Sequence, residues 1–230
     1  TYGLGVIDAS NKFNTASNYF CQDLRLNCGS YGFKAPIDVW NNGTAKDIWK
    51  CLGPIWRGIN DVKKDKDGNL IGGNLDQSSY MSAFRLGTYI ATQFKPLVAK
   101  CIYEMTNATK VLDTSCGWGD RLCGFFASNA KEYIGCDPNP NTYERYQQEC
   151  REYERILGFE GDPVFQVNSN RFQSKGIKKV TIYRCGAEDL PWETISDIDC
   201  AFTSPPYFST EEYNKGGEHQ EDQSWAKFNE

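Results

Sequence analysis

The 230-residue chain is 40% hydrophobic and 14% aromatic, enough apolar material for a packed core and too much for bulk disorder. No run approaches the roughly 20 apolar residues of a membrane-spanning helix, and no signal peptide is visible. The formal net charge of −5 differs from the basic footprint expected of a nucleic-acid binder. However, six acids against two bases fall within 209–230, so the rest is almost neutral. The stretch 171–184 is locally basic through Arg171, Lys175, Lys178, Lys179 and Arg184. Ten cysteines face one histidine, His219, with no CxxC pair. A Cys/His zinc site therefore has almost no material, and reduced thiols of an intracellular protein with no metal are expected.

Residues 1–75 are Gly/Asn-rich with scattered aromatics, and their helix-like piece, 45–59, is interrupted at Gly53-Pro54. The run Lys64-Asp65-Lys66-Asp67-Gly68-Asn69 looks like a calcium loop, but Lys63 and Asn74 stand where ligating acids are needed. A charged hairpin turn centred on Asp67-Gly68-Asn69 is the expectation. From 78 to 105 the pattern is helical, with Tyr80, Phe84, Tyr89 and Phe94 on one side, then Leu97, Cys101 and Ile102. Pro96 is expected to break this helix in two. Beyond it, short apolar runs alternate with helical stretches, the pattern of βα units on an open parallel sheet. Strands are expected at 110–113, 132–137, 178–185 and 198–203, with helices at 120–129 and 141–157. The division expected is an irregular N-terminal region, 1–75, and an α/β domain, 76–230.

Four strand ends carry chemistry. After the first, Asp113 leads through Thr114-Ser115-Cys116 into Gly117-Trp118-Gly119, and a helix follows. Glycines there admit a ligand close to the backbone. Leu122 stands where the dinucleotide fingerprint needs its third glycine, which argues against NAD and FAD. After the second, Gly135-Cys136-Asp137-Pro138-Asn139 places an acid about 20 residues past the glycine turn, where a ribose-binding carboxylate sits in an α/β site; capping of the next helix is the rival role. After the third, Glu188 and Asp189 lie in a loop, as adenine-amine acceptors or as a solvated turn. After the fourth comes Ser204-Pro205-Pro206-Tyr207. Its two prolines remove N–H donors, leaving a rigid rim of acceptors beside an aromatic ring. Such a rim suits a planar group with an exocyclic NH2.

In this order the four segments resemble the S-adenosylmethionine-dependent DNA methyltransferases that modify exocyclic amines, N4 of cytosine or N6 of adenine. DTSCGWGDRL is similar to their cofactor turn, GCDPN to their ribose-binding step and TSPPYF to their catalytic motif. The resemblance covers about 78–213. It implies a Rossmann-like methyltransferase fold and S-adenosyl-L-methionine as cofactor, held by Asp113, Ser115, Gly117, Gly119, Asp137, Pro138, Glu188 and Asp189. Ser204, Pro205, Pro206 and Tyr207 would be catalytic. DNA with the target base flipped out would be the partner, with N4 of cytosine slightly favoured. An RNA base, a protein glutamine or a non-catalytic binding module are the alternatives. A cytoplasmic restriction-modification enzyme of a bacterial or phage-infected cell is implied. Gly186 stands where an acid is frequent in such proteins, which bears on Glu188 and Asp189. The implied fold has more strands than the four placed here, so a missing C-terminal segment or a second chain is expected to complete it. Carbon-5 cytosine chemistry is excluded, because the chain has no Pro-Cys dipeptide.

Overall fold

The computed structural model describes residues 11–44, 63–71, 88–205 and 211–212. The helix-like stretch 45–59, the first part of the 78–105 pattern, Pro206 and Tyr207 lie outside them. Its elements in chain order are helix α1 (Thr15–Leu26), strand β1 (Gly29–Ser30), helix α2 (Pro36–Asn42), strands β2 (Lys63–Lys64) and β3 (Leu70–Ile71), and helix α3 (Pro96–Met105). Then come β4 (Lys110–Asp113), α4 (Asp120–Phe126), β5 (Glu132–Cys136), α5 (Pro140–Ile156), β6 (Val164–Val167), β7 (Arg171–Lys175), β8 (Lys179–Tyr183), β9 (Cys200–Ala201) and β10 (Glu211–Glu212). No described helix is long and apolar enough to cross a membrane.

The chain forms two units. In the first, which holds the described residues up to Leu24 and from Thr92 to Pro205, six strands form one sheet in the order β6-β7-β8-β5-β4-β9. The four expected strands are its parallel part, β8-β5-β4-β9. Their buried runs, Val111-Leu112-Asp113 and Tyr133-Ile134-Gly135-Cys136, reflect a sheet covered on both faces. The chain steps from β4 to β5 to β8 on one side, then returns to lay β9 on the other side of β4. Strand order therefore reverses between β4 and β9, where open α/β sheets bind ligands, beyond the carboxyl ends of the strands.

Three sequence expectations change. The sheet is mixed: β6 and β7 form an antiparallel hairpin against β8, where the sequence showed no strand. Pro96 does not break a helix but opens one as the first residue of α3, a position where its missing N–H costs nothing; residues 88–95 before it are irregular. Helices α1 and α2 also escaped the sequence reading, since α1 buries only Ser17, Phe20 and Cys21. Helix α5 agrees to within a residue: Asn139 caps it, accepting from Asn141 N at 3.0 Å, and Pro140 follows.

In the second unit β1 pairs with β10, and β2 with β3. The expected charged turn lies between β2 and β3, where the Asp65 carboxylate accepts from Asp67 N and Asn69 N and Gly68 takes φ +82°. Tyr31, Phe33 and Tyr89 cluster there, with Tyr31 and Tyr89 centroids 4.5 Å apart. All nine described cysteines are free thiols.

Helices α3 and α4 touch at Gly124, where a Cβ would lie 2.6 Å from both Ala99 Cβ and Pro96 O. Gly124→Ala should therefore cost about 1–3 kcal/mol of unfolding free energy, as overpacking does, measured by urea denaturation. An unchanged midpoint and slope would show that the two helices are not in contact there.

Candidate active site

The turn after β4 is held by side chains that point inward. Asp113 is fully buried, and its carboxylate accepts from Arg121 Nε at 2.8 Å, Tyr133 OH at 2.6 Å and Ser115 N at 3.1 Å. Arg121, itself 3% exposed, also donates to the Ser115 carbonyl, and its guanidinium lies 5.4 Å from the Phe94 ring centroid. Burial works against the guanidinium charge, but Asp113 and Tyr133 hold its proton more firmly than usual. Asp113 thus reaches the site through the turn it braces, not through a free carboxylate.

The two glycines adopt left-handed conformations, with φ +57° at Gly117 and +81° at Gly119, a region that favours glycine. Gly119 has a second reason: the Glu149 carboxyl group from α5 occupies the space a Cβ would need. Glu149 is fully buried, and neither of its oxygens has a hydrogen-bond partner among the described residues. Burial, then the charge of Asp120, pushes its carboxyl well above the usual range, and it sits beneath the turn. Asp120 ties the start of α4 to α1 and to residue 93, through Ser17 Oγ and Gln93 Nε2. Tyr146 donates to the Gly117 carbonyl. Cys116 fits a matching notch: a Cβ at Gly135 would clash with its Sγ. Burial raises the Cys116 thiol well above normal, so it is un-ionised.

Asp137, at the end of β5, faces the glycine turn. Its carboxylate accepts from Gly117 N at 2.8 Å and Asn139 N at 3.0 Å, and the side chain is 6% exposed. The rival capping role falls to Asn139. A carboxylate has about four lone-pair sites; two are taken, which leaves capacity for the hydroxyls of a ribose. Pro138 beside it is half-buried. Glu188 and Asp189 lie on an exposed 3-10 turn after β8, Ala187–Asp189. Glu188 folds back so that its carboxylate lies 2.5 Å from where a Gly186 Cβ would be.

Strand β9 brings the last segment alongside. Phe202 N donates to the Leu112 carbonyl at 2.9 Å, and Asp199 accepts from Thr109 N and Lys110 N. This register sets Thr203 against Thr114, whose hydroxyls are 3.2 Å apart. Ser204, half-buried, and Pro205, exposed, therefore leave the sheet beside the glycine turn. The structure brings Ser115, Gly117, Gly119 and Asp137 together with Ser204 and Pro205 at one sheet edge. Arg121, Tyr146, Glu149 and the Thr114–Thr203 contact were not singled out from sequence. Their partners are 6 to 89 residues away in the chain, and no local pattern signals such contacts.

No protein-family model and no curated protein matches the chain. Among solved structures it is similar to a complex of Trm1 from Pyrococcus horikoshii with S-adenosyl-L-methionine, at 22% identity and a TM-score of 0.34. The likeness covers 44% of this chain and 27% of that one, so it spans well under half the length of that protein.

Arg121→Met should remove the partner of a fully buried carboxylate and cost about 3–5 kcal/mol, read from denaturant unfolding. A loss under about 1 kcal/mol would mean that the pair does not brace the turn. A second expectation concerns pH. Burial raises the Asp137 carboxyl from 3.8 to about 6, against the pull of its two backbone hydrogen bonds. Between those values the folded chain binds a proton that the unfolded chain does not, so Asp137 lowers stability as pH rises through that window. Relative to Asp137→Asn, the wild type should lose roughly 2 kcal/mol from pH 4 to pH 7. A pH-independent difference between the two would contradict this.

Proposed function

We propose that the chain is the cofactor-binding and catalytic part of an enzyme that transfers a methyl group from S-adenosyl-L-methionine to the exocyclic amine of a DNA base, N4 of cytosine rather than N6 of adenine. One observation carries the reading: the Thr114–Thr203 contact, which sets the glycine turn and the start of Ser204-Pro205-Pro206-Tyr207 side by side at the strand-order reversal. The cofactor, when bound, supplies an electrophilic methyl group. The positive-φ glycines keep the backbone open to it, and Asp137 takes its ribose hydroxyls. Glu188 is the acceptor for its adenine amine.

The base amine is a poor nucleophile because its lone pair is delocalised into the ring. The Ser204 hydroxyl and the Pro205 carbonyl accept its two N–H groups and draw the nitrogen toward tetrahedral geometry. Tyr207 stacks on the flipped base. The nitrogen gains the methyl carbon as the methyl–sulfonium bond breaks, so that a neutral thioether leaves, and it loses one proton, which passes from the acceptor rim to water. Cys116, un-ionised and 1% exposed, takes no part, and no covalent enzyme intermediate is required. Orientation and electrostatics supply the rate.

Labelled S-adenosyl-L-methionine incubated with the chain and duplex DNA, followed by nucleoside analysis, should place label on N4 of cytosine. Label confined to RNA or to protein glutamine would overturn the DNA assignment. Asp137→Ala should weaken cofactor binding about tenfold or more in calorimetry, the scale of one lost charge-assisted hydrogen bond. Tyr207→Ala should keep cofactor affinity and lose transfer by about a hundredfold, the scale of a mispositioned reactant.

A further inference from the structure

The basic run 171–184 is resolved by the fold into separate tasks. Lys178 is buried; its Nζ donates to the Phe125 and Ser128 carbonyls at 2.7 and 2.6 Å, where α4 ends. Lys179 donates to Glu132 at 2.8 Å. Lys175 pairs across the ladder with Lys179, at the end of the sheet remote from the site. Two cations remain. Because β7 runs antiparallel to β8, Arg171 lies opposite Tyr183, at the carboxyl edge of the parallel strands, and Arg184 follows directly.

Each of these two side chains lies against a tyrosine ring. The Arg171 guanidinium is 6.0 Å from the Tyr183 ring centroid, and that of Arg184 is 6.0 Å from the Tyr143 ring centroid. The Tyr143 hydroxyl feels both: burial raises it, and Arg184 and Arg171 together pull it back. The backbone beneath is firm. Tyr143 OH donates to the Asn168 carbonyl at 3.1 Å, Arg184 N to the Asn170 carbonyl at 2.7 Å, and the Asn168 side chain accepts from Asn170 N and Arg171 N. Neither guanidinium has a carboxylate within ion-pair distance among the described residues.

We infer that Arg171 and Arg184 form a clamp for backbone phosphates of the DNA substrate, some base steps along the strand from the flipped base. The inference rests on the reading of the chain as a base methyltransferase. Guanidinium groups suit phosphate oxygens through paired hydrogen bonds. A chain with net charge −5 needs such local cationic points to hold a polyanion. The spacing fits: β8 and β9 are separated by β5 and β4, three strand intervals of about 4.8 Å, or roughly 14 Å. That is about four base steps along a strand at 3.4 Å each.

The test is fluorescence anisotropy of a labelled duplex with the whole chain over a NaCl series, for wild type, Arg171→Gln, Arg184→Gln and the double variant. Each variant should reduce the slope of log K against log[NaCl] by about 1. The double variant should bind DNA at least about tenfold more weakly at low salt, as expected of a salt-dependent contact, while its S-adenosyl-L-methionine affinity by calorimetry stays unchanged. Arg171→Lys and Arg184→Lys keep the charge and should hold the slope. A wild-type slope in both glutamine variants, with methyl transfer intact, overturns the clamp and leaves the proposed activity standing. Cofactor affinity lost along with DNA binding also overturns it, because the arginines would then be structural. Binding confined to RNA, or no binding of DNA by a wild type that binds cofactor, sinks the substrate reading and the clamp with it.

Discussion

The site depends on the buried ion pair between Asp113 and Arg121. Both charges are out of water, so replacing the pair with apolar residues would cost little, while removing one partner is expensive. That asymmetry turns it into a geometric constraint. Arg121 reaches Asp113 only if the chain leaves β4, reverses through left-handed Gly117 and Gly119, and enters α4 at Asp120. Tyr133 from β5 and the Ser115 carbonyl complete the arrangement. The turn that would hold the cofactor is thus built from within, leaving its outer surface to the ligand.

Complementary pairs then lock the surroundings. Gly119 exists so that Glu149 can lie beneath it, and Gly135 so that Cys116 can pack against β5. Glu149 is costly, a buried carboxyl without a hydrogen-bond partner among the described residues, and burial shifts it toward the uncharged form. The sheet topology does the rest. With β9 laid against β4, Thr203 meets Thr114, and a segment nearly ninety positions from the glycine turn (by the Thr114–Thr203 separation) begins beside it. The strand-order reversal is what brings the two segments together.

The parallel strands were legible because each reads as a short apolar run between polar turns, and β4, β5 and β8 are buried on both faces. The β6–β7 hairpin was not: Val-Phe-Gln-Val and Arg-Phe-Gln-Ser-Lys mix exposed and buried positions at a sheet edge, which weakens any periodic signal. Pro96 was read as a helix breaker because sequence alone does not separate a proline inside a helix from one at its first position. At the site, the glycine turn, Asp137 and Ser204 stood out through their place after strands. The inward turn of Asp113, the role of Arg121 and the contact of Glu149 with Gly119 depend on side-chain contacts that no sequence periodicity marks, so only the fold reveals them. The basic run looked uniform in sequence; strand direction sorts it into capping, pairing and exposed members.

The central claim is that the glycine turn and the end of β5 together form the cofactor site. The most direct measurement is photo-crosslinking of labelled S-adenosyl-L-methionine to the chain, with the labelled peptides identified by mass spectrometry. Label within 114–119 and 135–139, competed by unlabelled cofactor, is the predicted result. Label confined to other segments under the same competition would contradict it.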